Sequence, residues 1–290
     1  MKFDADAFRV QEDEKVSLAK RPTRVDPVCA SKAEYADELS RHAAKLNALQ
    51  GRLYASGKNA LLVILQGMDT SGKDGAIKHV MTGVNPQGCR VVSFKTPTHL
   101  ESRHDFLWRE VAELPERGAI GVFNRSYYEA VLITRVHPEL LAAEGLETSS
   151  GKLDALFEER YHSIRALERH LTANGTRIVK IFLHISKDEQ RRRLLQRLDS
   201  AEKAWKASRS DVEERKFWKD YQRAYEIALS ETSRAASPWH VVPADDKPNA
   251  RLFVSRIIID ALEALPLDMP PPDDARKREL GEIRAALEGS

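Results

Sequence analysis

Short apolar segments alternate with longer segments of helical period along this chain. The strand candidates lie at residues 61–66, 90–94, 119–123, 176–184 and 240–242. The intervening segments carry apolar residues three and four positions apart, as amphipathic helices do. This order predicts an α/β fold in which crossover helices flank a parallel sheet.

Helix starts are marked by capping boxes, in which a serine precedes an acidic residue by three positions. The boxes begin at Ser31, Ser186 and Ser210. The first predicts a helix towards Ser56, which Gly57 ends. The other two predict helices that form a hairpin over about 187–232, the second of them running to about residue 230. Such a hairpin can cover a site as a lid.

The first strand candidate runs into a glycine-rich loop, Gly67-Met-Asp-Thr-Ser-Gly72-Lys73-Asp74-Gly75. Glycines let successive backbone N–H groups converge on one anion, Lys73 adds a mobile positive charge, and the next helix adds its positive N-terminal end. The spacing alone is a weak signal. The uncharged strand before it and the helical spacing after it favour phosphate binding over a turn without a ligand. Asp74 replaces the Ser or Thr that holds magnesium in the usual nucleotide-binding loop.

Polar side chains follow the next two strand candidates, and parallel sheets bind ligands at the carboxyl ends of their strands. Lys95 follows the second candidate, and Asn124, Arg125 and Glu129 follow the third. We favour Arg125 as a phosphate ligand over an ion pair with Glu129. Asn124 stands where a carboxylate would hold a metal ion. Mg²⁺, with Mn²⁺ as the alternative, is therefore expected to rely on Asp69 and the phosphates, with Glu129 as a further candidate ligand.

Further basic residues extend this predicted site. Arg193 and Arg197 lie four apart on one face of the lid helix and are expected to close over the transferring phosphoryl group. The alternative is a solvated basic helix face. Lys95, Arg103 and Arg109 predict one basic channel beside the second strand, although each singly also fits an ordinary surface charge.

Phosphoryl transfer needs alignment and charge neutralisation more than covalent help, and the site can be assigned on that basis. The candidate catalytic residues are Asp69, Lys73, Arg125, Arg193 and Arg197, with Asp69 also the metal ligand. The candidate substrate-binding residues are Gly67, Met68, Thr70, Ser71, Gly72, Asp74, Gly75, Lys95, Arg109, Asn124 and Glu129. Packing in the core or lid is expected of Trp108, Trp205, Trp218 and Trp239.

Composition limits the class of protein. The 290 residues include 46 Lys and Arg against 44 Asp and Glu, so no global charge indicates binding to nucleic acid or a membrane. Cys29 and Cys89 are too few for a disulfide framework, and the N-terminus lacks the pattern of an export signal. We expect a cytoplasmic, reduced protein.

One domain is expected. An N-terminal arm over residues 1–30 precedes a P-loop kinase-like domain over 31–265, which includes the lid. A tail over 266–290 leaves the core at three consecutive prolines and ends in a short helix with Leu280, Ile283 and Leu287 on its apolar side.

Four separated segments resemble the type 2 polyphosphate kinases over about residues 25–264. The matching segments are the glycine-rich loop, Phe123-Asn-Arg-Ser-Tyr-Tyr-Glu129, Lys203-Ala-Trp-Lys-Ala-Ser208 and Pro238-Trp-His-Val-Val-Pro-Ala-Asp-Asp-Lys247. Many members have Asp where Asn124 stands. Arg192 is an alternative to Arg193 as the first lid arginine.

This resemblance implies a P-loop kinase fold with a helical lid and a reaction between inorganic polyphosphate and AMP or ADP that requires magnesium. The expected partners are those two substrates and further copies of this chain, with neither nucleic acid nor a membrane. One rival is an ATP-dependent nucleoside monophosphate kinase, which Asp74 disfavours because such enzymes carry Ser or Thr there. The other is a P-loop regulatory protein, for which a guanine-reading Asn-Lys-x-Asp segment is missing from the sequence.

Overall fold

The computed structural model describes residues 5–146, 150–268 and 273–289, and within them five strands form one parallel sheet. The strands are β1 Ala60–Gln66, β2 Cys89–Ser93, β3 Ile120–Asn124, β4 Thr176–His184 and β5 Trp239–Pro243. All five strand candidates and the parallel α/β prediction are confirmed. Each predicted boundary lies within one residue of the observed one.

Helices of the described residues connect the strands and flank the sheet. They are α1 Lys32–Ser56, α2 Lys73–Val80, α3 Trp108–Val111, α4 Glu129–Val136, α5 Ser150–Ala173, α6 Lys187–Leu198, α7 Arg209–Glu214, α8 Trp218–Thr232, α9 Lys247–Glu263 and α10 Asp274–Glu288. Helix α9 packs against α1, α2 and three strands, whereas α5 packs against β4, α4 and α8.

The strand order β2-β3-β1-β4-β5 places β1 at the centre of the sheet. Every residue of β1 is buried, as expected of a strand that is covered on both faces. In the register, Leu65 lies beside Asn124 of β3, and Gln66 lies beside Phe182 of β4. The chain moves to one side of β1 for β2 and β3 and then to the other side for β4. This reversal opens a crevice at the carboxyl ends of the strands, directly beside the glycine-rich loop.

The first two predicted helix starts are confirmed. The Ser31 hydroxyl accepts a hydrogen bond from the Glu34 backbone N–H at 3.1 Å, and Gly57 ends α1 at a φ of 58°. The Ser186 hydroxyl likewise accepts from the Glu189 N–H at 3.1 Å and begins α6. Each serine satisfies one of the donors that a helix N-terminus leaves without an intrahelical partner.

The prediction for the third helix start was wrong. Ser208, not Ser210, caps α7, because its hydroxyl accepts from the Ser210 N–H while Asp211 accepts from the Ser208 N–H. The single long helix is also interrupted, since a 3₁₀ turn at Arg215–Phe217 separates α7 from α8. The lid region therefore consists of α6, a connection over residues 199–208, and two successive helices.

The chain ends differ in how they contact the sheet. The N-terminal segment contacts β5, α8 and α9: the Val10 N–H donates to the Trp239 carbonyl at 2.8 Å, the Leu18 N–H donates to Glu226 at 2.8 Å, and the Val28 N–H donates to Asn249 at 3.0 Å. The predicted C-terminal helix is present as α10, with Leu280, Ile283 and Leu287 exposed. The three prolines before it lie outside the described residues. Throughout the described residues, every helix is too short or too polar to span a membrane.

Candidate active site

Three residues of the glycine-rich loop have a positive φ, which glycine adopts without strain and other residues do not. Gly67 has a φ of 155° and Gly72 a φ of 109°, both in the region that L side chains disfavour. A Cβ atom on Gly67 would lie 2.6 Å from the Ser71 hydroxyl. Thr70 is held at a φ of 61°, which is strained for a β-branched residue. Strain of this kind concentrates at functional sites.

Lys73 lies beneath the loop rather than in solvent. Its side chain is buried, and Nζ donates to the carbonyls of Gly67 at 2.5 Å and Met68 at 3.3 Å. Burial, with a smaller contribution from the positive charge of Arg125, lowers the pKa of Lys73 to about 8. A bound phosphate group would be a negatively charged partner for the buried ammonium, so Lys73 is suited to bind an anion.

Arg125 joins the loop to the segment after β3. Its guanidinium donates to Asp69 Oδ1 at 3.0 Å and to Glu129 Oε2 at 3.3 Å. Glu129 and Asp69 raise the pKa of Arg125 above its ordinary value despite burial. The ion pair with Glu129, which the sequence left as an alternative to phosphate binding, is therefore formed. Asp69 shares the same cation.

Asp74, at the position of the usual Ser or Thr, links the loop to β3 and to the lid region. Asn124 Nδ2 donates to Asp74 Oδ1 at 2.9 Å, and Lys206 Nζ lies 3.3 Å from Asp74 Oδ2. Burial acts to raise the pKa of Asp74, but these two contacts outweigh it and hold the pKa below its ordinary value. Asp74 is therefore a carboxylate that connects three parts of the site.

Arg193 differs from the expected role of a lid arginine that closes over the phosphoryl group. It is 5% exposed, and all five of its N–H groups have protein acceptors. The acceptors are Glu189 Oε1 and the backbone carbonyls of Thr70, Ser71, Ala244 and Asp245. With the donors occupied in this way, Arg193 clamps the glycine-rich loop to the end of β5. It positions the loop instead of reaching across it.

Arg197 does not share the target of Arg193, although the two lie on one helix. Its guanidinium donates to Asp211 Oδ2 at 3.1 Å and to the Lys206 carbonyl at 3.4 Å. It thereby fastens α6 to the start of α7. Arg192, the alternative first lid arginine, is half exposed and pairs with Glu189.

A cavity of about 920 Å³ opens over the glycine-rich loop, and we call it the basic channel. Ten Lys and Arg residues line it against two Asp residues, Asp69 and Asp74. Helices α2, α6 and α9 and the connection after α6 all contribute basic side chains. A groove of this composition concentrates anions and favours an extended polyanion over a compact neutral ligand.

A second cavity of about 440 Å³, which we call the side pocket, lies between the segment after β2 and helix α4. Its apolar lining includes Phe94, Phe106 and Ile133, and its charged lining has five Asp and Glu residues against three Lys and Arg. The two cavities share Arg125 and Lys95. An apolar pocket with a few polar groups suits a planar organic ligand.

Glu110 is the most unusual acid of the side pocket. It is 1% exposed; Arg109 Nε donates to its Oε1 at 3.0 Å, and its Oε2 has no hydrogen-bond partner among the described residues. Burial raises the pKa of Glu110 to about 7, against the opposing effect of Arg109. Near neutral pH this carboxyl group can therefore gain or lose a proton.

Lys95, Arg103 and Arg109 were expected to form one channel beside β2, but the three do not line one cavity. Arg109 lines the side pocket and donates to the Lys95 carbonyl at 2.8 Å, and Arg103 lines neither cavity. Only Lys95 of the three faces both cavities. Trp205, expected to pack, is 77% exposed next to the channel residue Lys206.

Sequence reasoning missed several channel residues. Lys203, Lys206 and Lys247 lie within segments that carried the family resemblance, which was a usable signal. Lys78 and Arg251 lie on α2 and α9, and only the packing of those two helices brings them together. The remaining candidates of the loop, from Thr70 to Gly75, line the channel, whereas Gly67 and Met68 act through their carbonyls on Lys73.

The oxygen atoms at the site fit a hard divalent cation that is bound mainly by phosphates. No cluster of three His, Cys, Asp or Glu residues able to hold a metal ion occurs within the described residues. Asp69 lines the channel, and the buried oxygens of Thr70 Oγ1 and Asn124 Oδ1 have no hydrogen-bond partner in the same part of the chain. Mg²⁺ is usually bound by one or two carboxylates together with phosphates and water.

Comparison with known proteins places this chain among phosphotransferases. The family model described as Polyphosphate kinase 2 matches residues 29–269. The chain is 55% identical over 287 residues to an ADP-polyphosphate phosphotransferase of Rhodopseudomonas palustris, with 99% of each sequence covered. It is 42% identical over 276 residues to an AMP/ADP-polyphosphate phosphotransferase of Meiothermus ruber, covering 93% of this chain and 97% of that one.

A solved structure shows the same fold. The crystal structure of polyphosphate kinase 2 from Arthrobacter aurescens superposes with a TM-score of 0.87 and 42% identity, and covers 99% of this chain and 96% of that one.

Proposed function

The chain belongs to the polyphosphate kinase 2 family, and we propose that it transfers the terminal phosphoryl group of inorganic polyphosphate to AMP or ADP, reversibly in principle. The observation that carries the proposal is the contrast between two adjoining cavities, one strongly basic and one largely apolar. The two substrates differ in the same way, since one is a uniform polyanion and the other carries an organic base.

We assign polyphosphate to the basic channel. Each repeating unit carries roughly one negative charge, so several units can engage several Lys and Arg side chains and release counterions. The channel leads to Lys73 and Asp69 at the glycine-rich loop. A donor of this kind has neither base nor ribose, which agrees with a channel in which twelve of the lining residues are charged.

We assign the acceptor nucleotide to the side pocket. Phe106 and Ile133 offer apolar surface to a base, and the acidic residues there can accept hydrogen bonds from ring or amino N–H groups. Arg125 lies where the two cavities meet and can approach the phosphate of the acceptor. The reacting oxygen would then face the end of the polyphosphate chain near Lys73.

The roles of the site residues follow from this placement. Lys73 and Arg125 neutralise charge on the transferring group, which is the main demand of a loose phosphoryl-transfer transition state. Asp69 would hold Mg²⁺ together with the phosphates, and when bound the ion supplies further charge neutralisation and alignment. Arg193 fastens the loop to the end of β5, and Asp74 with Lys206 connects that loop to the lid region.

One assay tests the proposal. Purified protein is incubated with AMP or ADP and Mg²⁺, with either long-chain polyphosphate or ATP as donor, and the nucleotides are separated by chromatography. The proposal expects product with polyphosphate. Product with ATP alone would indicate a nucleoside monophosphate kinase, and product with neither donor would indicate a binding protein.

A further inference from the structure

We propose that a buried network of Lys180, Glu168, Tyr127 and Tyr128 is a positioning device that holds Arg125 at the junction of the two cavities. The proposal rests on the proposed function, because Arg125 is assigned there to the transferring group. It adds four buried residues, of which Tyr127 also lines the side pocket and the other three line neither cavity.

The network is compact and fully enclosed. Lys180 Nζ donates to Glu168 Oε2 at 2.6 Å, to the Tyr128 hydroxyl at 3.0 Å and to the Thr232 carbonyl at 2.6 Å. The hydroxyls of Tyr127 and Tyr128 donate to Glu168 Oε1 at 3.0 and 2.8 Å. All four members of the network are at most 1% exposed. Every one of the three Lys180 N–H groups thus has an acceptor.

The charge states of the network suit donation from both tyrosines. Burial and the adjacent Glu168 raise the pKa of Tyr127 and of Tyr128 well above the ordinary value, so both hydroxyls keep their protons. Burial lowers the pKa of Lys180, and Glu168 opposes this effect. The carboxylate of Glu168 therefore accepts three hydrogen bonds and fixes both tyrosine rings.

Stability alone is a poor reason for such a pair. The free-energy cost of removing two opposite charges from water is about equal to the gain from their attraction. Well-packed apolar residues of similar volume often give the protein the same stability. Buried ionic networks are better suited to fixing one local arrangement among several. The local arrangement that this network fixes is that of the turn containing Arg125.

This turn lies between β3 and α4. Arg125 has a φ of 67°, which is strained for a residue with a side chain. Such a conformation persists only when both neighbouring segments are held in place. On one side, the Arg125 N–H donates to the Leu65 carbonyl of the central strand at 3.0 Å.

On the other side, the tyrosines follow Arg125 by two and three residues. Their hydroxyls anchor the turn to α5 through Glu168 and to β4 through Lys180. Ser126, between Arg125 and the tyrosines, is buried and accepts from the Gln66 side chain and from the Tyr128 N–H, both at 3.3 Å. The turn is therefore held at both ends, and the direction of the Arg125 side chain is fixed.

The test uses Tyr128→Phe, which removes one hydroxyl and keeps the ring. Tyr128 lines neither cavity, so a direct contact with either substrate does not confuse its result, whereas Tyr127 lines the side pocket. With polyphosphate and AMP, we expect kcat to fall several-fold for Tyr128→Phe and about tenfold for the Tyr127→Phe/Tyr128→Phe pair, since small displacements of a catalytic group are costly. The KM for polyphosphate should stay within twofold. For the pair, the KM for AMP is measured as well and should stay within twofold, because the Tyr127 ring is kept.

The control is Leu53→Ala, a fully buried position on α1 away from the site. It destabilises the core without touching the network, so its kcat should match the unmodified protein at a temperature where both are folded. Melting temperatures of all variants show that the comparison is made between folded proteins.

A double-mutant cycle separates positioning from a general loss of structure. In an Arg125→Ala background, measured by single-turnover transfer of labelled phosphate, the Tyr127→Phe/Tyr128→Phe pair should cause less than a twofold further loss. The same tenfold loss in both backgrounds would overturn the proposal, as would an unchanged kcat for the pair. Failure of the proposed function would appear differently, as absence of polyphosphate-dependent turnover in the unmodified protein.

Discussion

The basic channel and the side pocket adjoin each other at Arg125, yet their linings differ in charge and in polarity. Ten basic residues face two acidic ones in the channel, whereas acidic residues outnumber basic ones in the side pocket. The channel draws its charge from α2, α6 and α9, and the pocket draws its apolar surface from α4 and the segment after β2. We propose on this basis that one cavity recognises repeated charge and the other recognises the shape of a base.

This difference has a functional consequence. A nucleoside monophosphate kinase that uses ATP must bind a base on each side of the reacting phosphate, whereas a polyphosphate-dependent enzyme needs only one base site. The side pocket has the larger aromatic and aliphatic lining, with Phe94, Phe106, Ile133 and Leu140, whereas the larger aliphatic and aromatic side chains of the channel are Phe94 and Leu183. Changes in the two cavities should therefore affect different kinetic parameters.

The largest effect is expected where both substrates meet. Lys73→Ala should lower kcat by about a thousandfold, because it removes a desolvated positive charge from the transition state. The measurement is the initial rate of ADP formation from AMP and polyphosphate. Lys58→Ala serves as the matched control, since Lys58 is exposed at the opposite end of β1. Near-normal turnover of Lys73→Ala would contradict the assignment of the loop.

A smaller and selective effect is expected in the channel. Lys203→Ala/Lys247→Ala should raise the KM for polyphosphate about tenfold and leave the KM for AMP unchanged, because both side chains line the channel only. The slope of log KM for polyphosphate against log salt should become shallower by about one to two, since fewer counterions are released.

The control for the channel is Lys32→Ala/Lys58→Ala, which removes the same charge from residues that line neither cavity. Equal effects of the two double variants would mean that overall charge, and not the channel, attracts the polyanion. A rise in the KM for AMP would place the nucleotide in the channel.

The mirror-image effect is expected in the side pocket. Phe106→Ala should raise the KM for AMP by about three- to tenfold, because it removes apolar surface from the proposed base site, and should leave the KM for polyphosphate unchanged. Leu53→Ala, at a fully buried position of α1 that lines neither cavity, is the control for a general loss of stability. A selective rise in the KM for polyphosphate would reverse the assignment of the two cavities.

The last effect is on the stability of the folded protein, not on turnover, and concerns the dependence of the side pocket on pH. The folded pKa of Glu110, about 7, lies above the ordinary glutamate value of 4.5. The folded protein therefore binds the proton more tightly, and stability is lost as pH rises from about 4.5 through 7. Glu110→Gln removes this titration, so its stability relative to the unmodified protein should improve by up to about 3 kcal/mol between pH 5 and pH 8.

Urea unfolding at both pH values measures this difference. Glu288→Gln, on the exposed helix α10, controls for a change in overall charge. If the gap between Glu110→Gln and the unmodified protein is the same at pH 5 and pH 8, the carboxyl group does not titrate in this range.

Local signals predicted the scaffold well. The five strands, the caps at Ser31 and Ser186, and the glycine-rich loop depend on residues close in sequence. Ser208 and Ser210 illustrate the limit of such signals, because both begin overlapping capping patterns and only the three-dimensional structure selects Ser208.

Roles that depend on distant contacts were harder to predict. The helical period placed Arg193 and Arg197 on one face, but the loop carbonyls that occupy Arg193 lie more than 120 residues away. Arg251 enters the channel only through the packing of α9 beside α2. The side pocket left no pattern in the sequence, since its lining comes from separate segments that each resemble ordinary core or surface.

A crystal structure with AMP and a short polyphosphate bound tests the two-cavity account most directly. The account predicts a base in the side pocket near Phe106, the nucleotide phosphate at Arg125, and a chain of phosphates along the channel that ends near Lys73. A nucleoside in the channel, or polyphosphate in the side pocket, would contradict it.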